Sequence, residues 1–173
     1  MNSNVRQLSD KSPCARPRSR EAEGEIIFDC ANRAPMVAPG EYEAVYVHHE
    51  TQRVFMTPKL FVWFRLVTPG PAYDVMVYRA YRVKKLTTKA GKNGGFVASR
   101  MSDIYHDLGR ILDIRLRPDR VSAAALRGIM CRVRVRKVVR DYKGRAIPEW
   151  DQYSVVDALL TAETATQQLA ISR

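Results

Sequence analysis

The sequence predicts a mainly β domain, a five-stranded Greek-key barrel of the OB type with a helix between strands 3 and 4. Three observations carry that expectation. Residues 59–67 and 129–139 are rich in β-branched, aromatic and apolar side chains and sort them by alternation. Residues 101–112 change period, placing Ile104, Leu108, Ile111 and Leu112 on one helical stripe. The resulting order is strand, strand, strand, helix, strand, strand, which is the order of that barrel, although a generic α+β sheet gives nearly the same string.

Each element has its own signal. Pro39-Gly40 marks a turn, and a strand starts at once. Tyr42, Ala44, Tyr46 and His48 share one of its faces, Glu43, Val45 and Val47 the other, and Thr51 to Arg53 reads as a connection. Residues 59–67 form the second strand, which Thr68-Pro69-Gly70-Pro71 ends. Residues 73–83 form the third, and the short link favours an antiparallel pair. Lys84 to Gly95 reads as a long exposed basic loop. After the helix, Pro118 interrupts, and residues 121–126 read as a short helix capped near Ser122 and stopped by Gly128. Residues 129–139 return to strand, Asp141 to Gly144 turns the chain, and residues 150–156 supply the last strand.

The domain is expected over residues 25–156. Residues 1–24 read as a flexible basic leader with Arg16, Arg18 and Arg20, and residues 157–173 as a short helical or frayed tail. Ile26 to Phe28 could add one strand.

The chain has 173 residues and a net charge of +11. Residues 1–40 hold six basic and five acidic side chains, so the excess belongs to the folded part. A basic folded surface attracts polyanions, nucleic acid first and anionic membrane second. No run of eighteen apolar residues is present, so no spanning helix and no membrane partner are expected. The first thirty residues carry no secretory pattern, and Cys14, Cys30 and Cys131 fit neither a disulfide framework nor a metal knuckle. A reducing, cytoplasmic location is the expectation.

The candidate binding residues lie on three strands and a loop. Lys59, Phe61, Trp63 and Arg65 should face outward, opposite Leu60, Val62, Phe64 and Leu66, so that aromatics stack on bases while cations neutralise phosphates. Their alternative role is to lie under a helix, a loop or a partner. On the third strand Arg79 and Tyr81 are taken as the outward pair and Tyr78 as core, with the opposite parity open. Lys84, Lys85, Lys89 and Lys92 could follow a phosphate backbone but lack the spacing of a nucleotide loop. Arg132, Arg134 and Arg136 share one face opposite Cys131, Val133 and Val135; they would meet phosphate or carboxylates on a neighbouring strand.

No catalysis, metal or cofactor is expected. His48 and His49 are adjacent and His106 is distant, there is no HExxH, and no nucleophile elbow is present. Asp103 and Asp107 are the slight exception, a weak hint of a nuclease metal site that a solvated helix face also explains.

Gly40-Glu41-Tyr42-Glu43-Ala44, the aromatic strand Lys59 to Val67, the Tyr73 to Val83 strand and the helix before the last hairpin resemble the small OB-fold single-stranded DNA-binding proteins of phages, prophages and conjugative elements. The resemblance covers residues 40–156. It implies cofactor-free coating of single-stranded DNA in replication or recombination of a mobile element, with Phe61, Trp63 and Tyr81 stacking and Arg132, Arg134 and Arg136 lining a groove. The chain departs from that group in ending Gln167 to Arg173 without an acidic tail. The leading expectation is therefore sequence-tolerant binding of single-stranded DNA, with RNA as a variant. The second is a protein-interaction or assembly module using the aromatic patch, and a homodimer is compatible with either.

Overall fold

The computed structural model describes residues 36–112 and 122–163. The leader with Arg16, Arg18 and Arg20, the expected Ile26 to Phe28 strand, Cys14, Cys30, Pro118 and the end of the tail lie outside the described residues.

Eight strands and one helix make up this region. They are β1 (Gly40–Val54), β2 (Thr57–Leu66), β3 (Met76–Arg82), β4 (Lys85–Leu86), β5 (Gly91–Lys92), β6 (Phe96–Val97), α1 (Asp103–Leu112), β7 (Met130–Val138) and β8 (Tyr153–Glu163). One sheet runs in the order β3-β2-β1-β7-β8, all neighbours antiparallel, and β5 also pairs with β1. β4 and β6 form a separate two-stranded sheet.

The expected barrel is not what forms. Among the described residues no ladder joins β3 to β8, so the sheet stays open with those two strands as its edges. Helix α1 provides a physical reason. It packs against both edge strands and ties each by side chains: Asp107 bonds to Tyr81 on β3, and Arg110 donates to the Leu159 carbonyl of β8. Side-chain ties across the gap stand where ladder hydrogen bonds would close a barrel.

The interior follows from alternation. Leu60, Val62, Phe64 and Leu66 of β2 are all buried, as are Cys131, Val133 and Val135 of β7. They meet Ile104, Leu108 and Ile111 of α1, then Ala123 and Leu126 of a 3₁₀ turn whose Ala124 N–H donates to the Ser122 hydroxyl. Each large side chain buried here contributes about 1.5–3 kcal/mol. Ahead of β1, Val37 exchanges two hydrogen bonds with the Ser154 hydroxyl, both 3.0 Å, and so fastens the entering chain to β8.

Several expected boundaries move. β1 does not end at Thr51 but continues to Val54, because a bulge between Tyr46 and His48 switches its inward set from Ala44 and Tyr46 to His49 and Thr51. The basic segment from Lys84 to Gly95 is no simple loop. It supplies β4 and β5, and β6 follows, held by His49, whose Nε2 lies 3.2 Å from the Gly94 carbonyl. Residues 149–151 form a 3₁₀ turn, and the last strand runs from Tyr153 to Glu163 through residues expected to fray.

Candidate functional site

The β1–β2 connection builds the first wall of the site. It is a two-residue hairpin loop, Phe55-Met56, between the paired residues Val54 and Thr57. With positive φ at both central residues the loop has the type I′ pattern, which favours Asn or Gly. Here Phe55 has φ 47° and Met56 φ 63°, and the two are 80% and 83% exposed. Two bulky side chains are therefore held in a left-handed conformation that costs roughly 1–2 kcal/mol per residue, with no burial to offset it.

The β7–β8 connection builds the second wall. Asp141 shapes it: its carboxylate accepts from the backbone N–H groups of Lys143 and Arg145 at 2.8 and 2.9 Å. The turn displays Tyr142, 80% exposed, whose ring centroid lies 5.8 Å from that of Phe55. Lys143 Nζ sits over the Tyr142 ring, 5.4 Å from its centroid.

Between these tips runs a cleft of about 830 Å³. Its floor comes from Phe61 of β2 and from both sheet edges, with Tyr78 and Ala80 of β3 and Tyr153 and Val155 of β8. Lys59, Arg79, Arg82 and Arg136 line it, against a single carboxylate, Asp157. Burial, with the neighbouring Tyr153 phenol adding to it, pushes the Tyr78 hydroxyl up to about 12, so it remains a neutral donor.

The sequence-derived candidates divide in this frame. Lys59, Phe61, Arg79 and Arg136 come together in the cleft. Trp63 does not, because it packs between His48, stacked at 6.0 Å, and Tyr78 at 5.1 Å. Arg65 pairs with Asp74 at 3.4 Å. Tyr81, expected outward, is 2% exposed, and Arg79 shares its inward parity; Tyr78, expected in the core, lies on the outer face. Lys84, Lys85, Lys89 and Lys92 are exposed on the segment after β3, away from the cleft lining. The arginine face of β7 is answered by carboxylates: Arg134 bonds Glu41 at 3.0 Å, Arg136 reaches Asp157 at 2.8 Å, and Arg132 stands opposite Glu43 in register.

Asp107, half of the expected nuclease hint, is engaged in a buried network. Arg79 Nε lies 2.9 Å from its Oδ2, near but not in hydrogen-bonding alignment, Arg110 donates to its Oδ1 at 2.9 Å, and the Tyr81 hydroxyl donates to its Oδ2 at 3.0 Å. Burial first, and then the Asp107 charge, raise the Tyr81 hydroxyl above its ordinary value, which keeps the proton on that donor. Among the described residues no group of three or more His, Cys, Asp or Glu side chains is placed to hold a metal ion.

No family model matches the chain, and the comparisons with characterised proteins and with solved structures return no significant match. The structure itself overturns the resemblance to OB-fold single-stranded DNA-binding proteins. The sheet is open, the supposed stacking residues Trp63 and Tyr81 are packed, and two of the three arginines of the row, Arg134 and Arg136, are ion-paired. The expected place in replication or recombination of a mobile element falls with it.

Five cleft and rim residues escaped the sequence reading: Phe55, Met56, Arg82, Tyr142 and Tyr153. A signal was present for the first two. Large apolar side chains standing between two strand segments, where turn residues belong, are out of place in a hairpin.

Proposed function

We propose that this chain is a non-catalytic protein-interaction module that receives a segment of a partner protein in the cleft between the β1–β2 tip and the β7–β8 turn. The observation that carries the reading is the Phe55-Met56 tip. Strained backbone, bulky apolar side chains and near-complete exposure coincide there, and strain retained at an exposed point is a mark of function rather than of folding. Tyr142, Trp150 and Tyr153 extend the exposed apolar surface on the opposite connection, and aromatic residues of this kind anchor protein interfaces.

No helix among the described residues is long and apolar enough to cross a membrane. A cytoplasmic location is part of the proposal, supported by Cys131, a buried free thiol among the described residues.

The test is site-specific photo-crosslinking from position 142 of the full chain in the cells that produce it. A discrete protein adduct that disappears with Phe55→Ser supports the reading. Adducts to nucleic acid alone, or a protein adduct indifferent to Phe55, would end it. An adduct of twice the chain's own mass makes the partner a second copy, which is the assembly form of the same function.

A further inference from the structure

The floor of the cleft holds a charge arrangement that its own residues leave uncompensated. Lys59 on β2 stands directly opposite Arg82 on β3. On its other side, the residue paired with Lys59 is the neutral Gln52 of β1. Like charges directly opposite across a ladder repel each other and destabilise the sheet. The other two cations lining the cleft are answered, Arg79 by Asp107 and Arg136 by Asp157. Among the described residues neither Lys59 nor Arg82 has an ion-pair partner.

We infer that the occupant of this cleft is an extended acidic segment of a partner protein. Its carboxylates sit between Lys59 and Arg82, and its apolar side chains lie against Phe55, Tyr142 and Tyr153. This deepens the interaction-module reading and rests on it. A carboxylate between two cations removes their mutual repulsion and accepts charge-assisted hydrogen bonds from both. The extended form suits a cleft bordered by two sheet edges, since a segment lying along an unpaired edge strand can bond to its backbone.

Three features favour an acidic peptide over a nucleic acid. Within the cleft the uncompensated charge is one local pair, and the exposed Lys84, Lys85, Lys89 and Lys92 lie outside its lining. The floor rings engage one another, with Phe61 edge-on to Tyr78 at 5.5 Å and Tyr78 against Trp63, so there is no free row of faces for successive bases. The exposed residues at the rim include Met56 and Val139 as well as aromatics, a surface that suits aliphatic side chains.

The experiment is fluorescence anisotropy on the full chain with four labelled probes. The first is a peptide alternating Glu with Leu and Phe. The second is the same peptide with Gln for Glu, the third the same with Lys for Glu, and the fourth a single-stranded oligonucleotide of matching charge. The acidic peptide should bind about tenfold more tightly than the Gln peptide, and the Lys peptide should not bind. Combining Lys59→Gln with Arg82→Gln should remove that advantage while leaving the Gln peptide unaffected. The melting temperature of that variant should hold or rise, because a repelling pair is gone, so lost binding cannot be put down to unfolding. Equal binding of the acidic and Gln peptides, both abolished by Phe55→Ser, overturns the acidic assignment and leaves the interaction module standing. Tighter binding of the oligonucleotide, or no binding by any peptide, overturns the proposal itself.

Discussion

Asp107 shows how much a single side chain holds in this fold. It is 9% exposed at the side chain, and three groups converge on it from β3 and from its own helix. Removing its charge leaves the Arg79 guanidinium, itself only 16% exposed, without its counter-ion. Breaking a buried pair from one side costs about 3–5 kcal/mol. Asp107→Asn should therefore lower stability to urea by an amount in that range, whereas Tyr81→Phe, which removes one donor, should cost about 1 kcal/mol. If the two variants unfold at the same urea concentration, the network is not organised around the aspartate. His49 works by the opposite principle. Its Nδ1 accepts from the Tyr46 hydroxyl at 2.9 Å and its Nε2–H donates to the Gly94 carbonyl, so the neutral ring is the one that fits. Burial, more than the nearby His48 and Arg127, holds its pKa below the usual histidine value; the Gly94 bond opposes this only in part. A depressed folded pKa means that the unfolded chain takes up the proton first. The contribution is thus fully present above about pH 6.5 and is lost as pH falls from there through the lowered folded value. Melting curves from pH 8 downward should show this loss in the native chain and less of it in His49→Gln.

At the scale of elements, close packing and strained turns carry the predictions. A Cβ on Gly94 would lie 2.0 Å from the Thr51 hydroxyl oxygen and 3.2 Å from Thr51 Cβ. Thr51 is fully buried on β1, so its side chain has nowhere to go. Gly94→Ala should cost about 1–3 kcal/mol of overpacking, read as a lower melting temperature that Thr51→Ala partly restores. The β1–β2 tip should respond in the other direction. Replacing Phe55-Met56 by Asn-Gly supplies residues suited to its positive φ values and should stabilise the fold by about 1 kcal/mol or more, while abolishing the crosslink from position 142. A gain in stability with a loss of binding separates a functional tip from an accidental one; a loss of both would make Phe55 and Met56 structural. The same elements show what could be read in advance. β2 and β7 were legible because strict alternation leaves one parity purely apolar, and α1 because its stripe has helical spacing. β3 was not, because Arg79 and Tyr81 are buried by a partner, Asp107, from a distant helix. The bulge in β1 exchanges two nearly equivalent faces, which no local pattern reveals. The hairpin tip escaped because its residues contradict turn chemistry, and contradictions of that kind are where a site can lie hidden.

For the molecule as a whole, the open sheet sets both stability and access. β1 is the central strand of the order β3-β2-β1-β7-β8, paired to β2 along most of its length and to β7 or β5 on the other side. Where it is paired on both sides, over residues 44–45 and 50–51, its amides exchange only when the sheet opens, whereas β3 and β8 each present an unpaired edge. Local opening is cheapest where backbone groups have fewest partners. Hydrogen exchange should therefore be slowest in β1, β2 and β7 and fastest along the outer edges of β3 and β8. Adding the acidic peptide should then slow exchange in three stretches that are far apart in sequence. These are residues 54–59 at the first tip and its strand, 78–82 on β3, and 139–157 through the second connection into β8. All three line the cleft or its rim. The exposed lysines after β3, and Arg132 and Arg134 of β7, should show no change. A partner bound along the arginine face would instead protect residues 130–135 and leave the tips untouched. The charge of the whole chain makes the same distinction by salt: attraction by a diffuse +11 charge weakens for every anionic partner as ionic strength rises. Protection at the tips should persist in salt to the extent that Phe55 and Tyr142 contribute apolar contact, so a protection pattern that vanishes uniformly with salt would mean the partner is held by charge alone and not by the cleft.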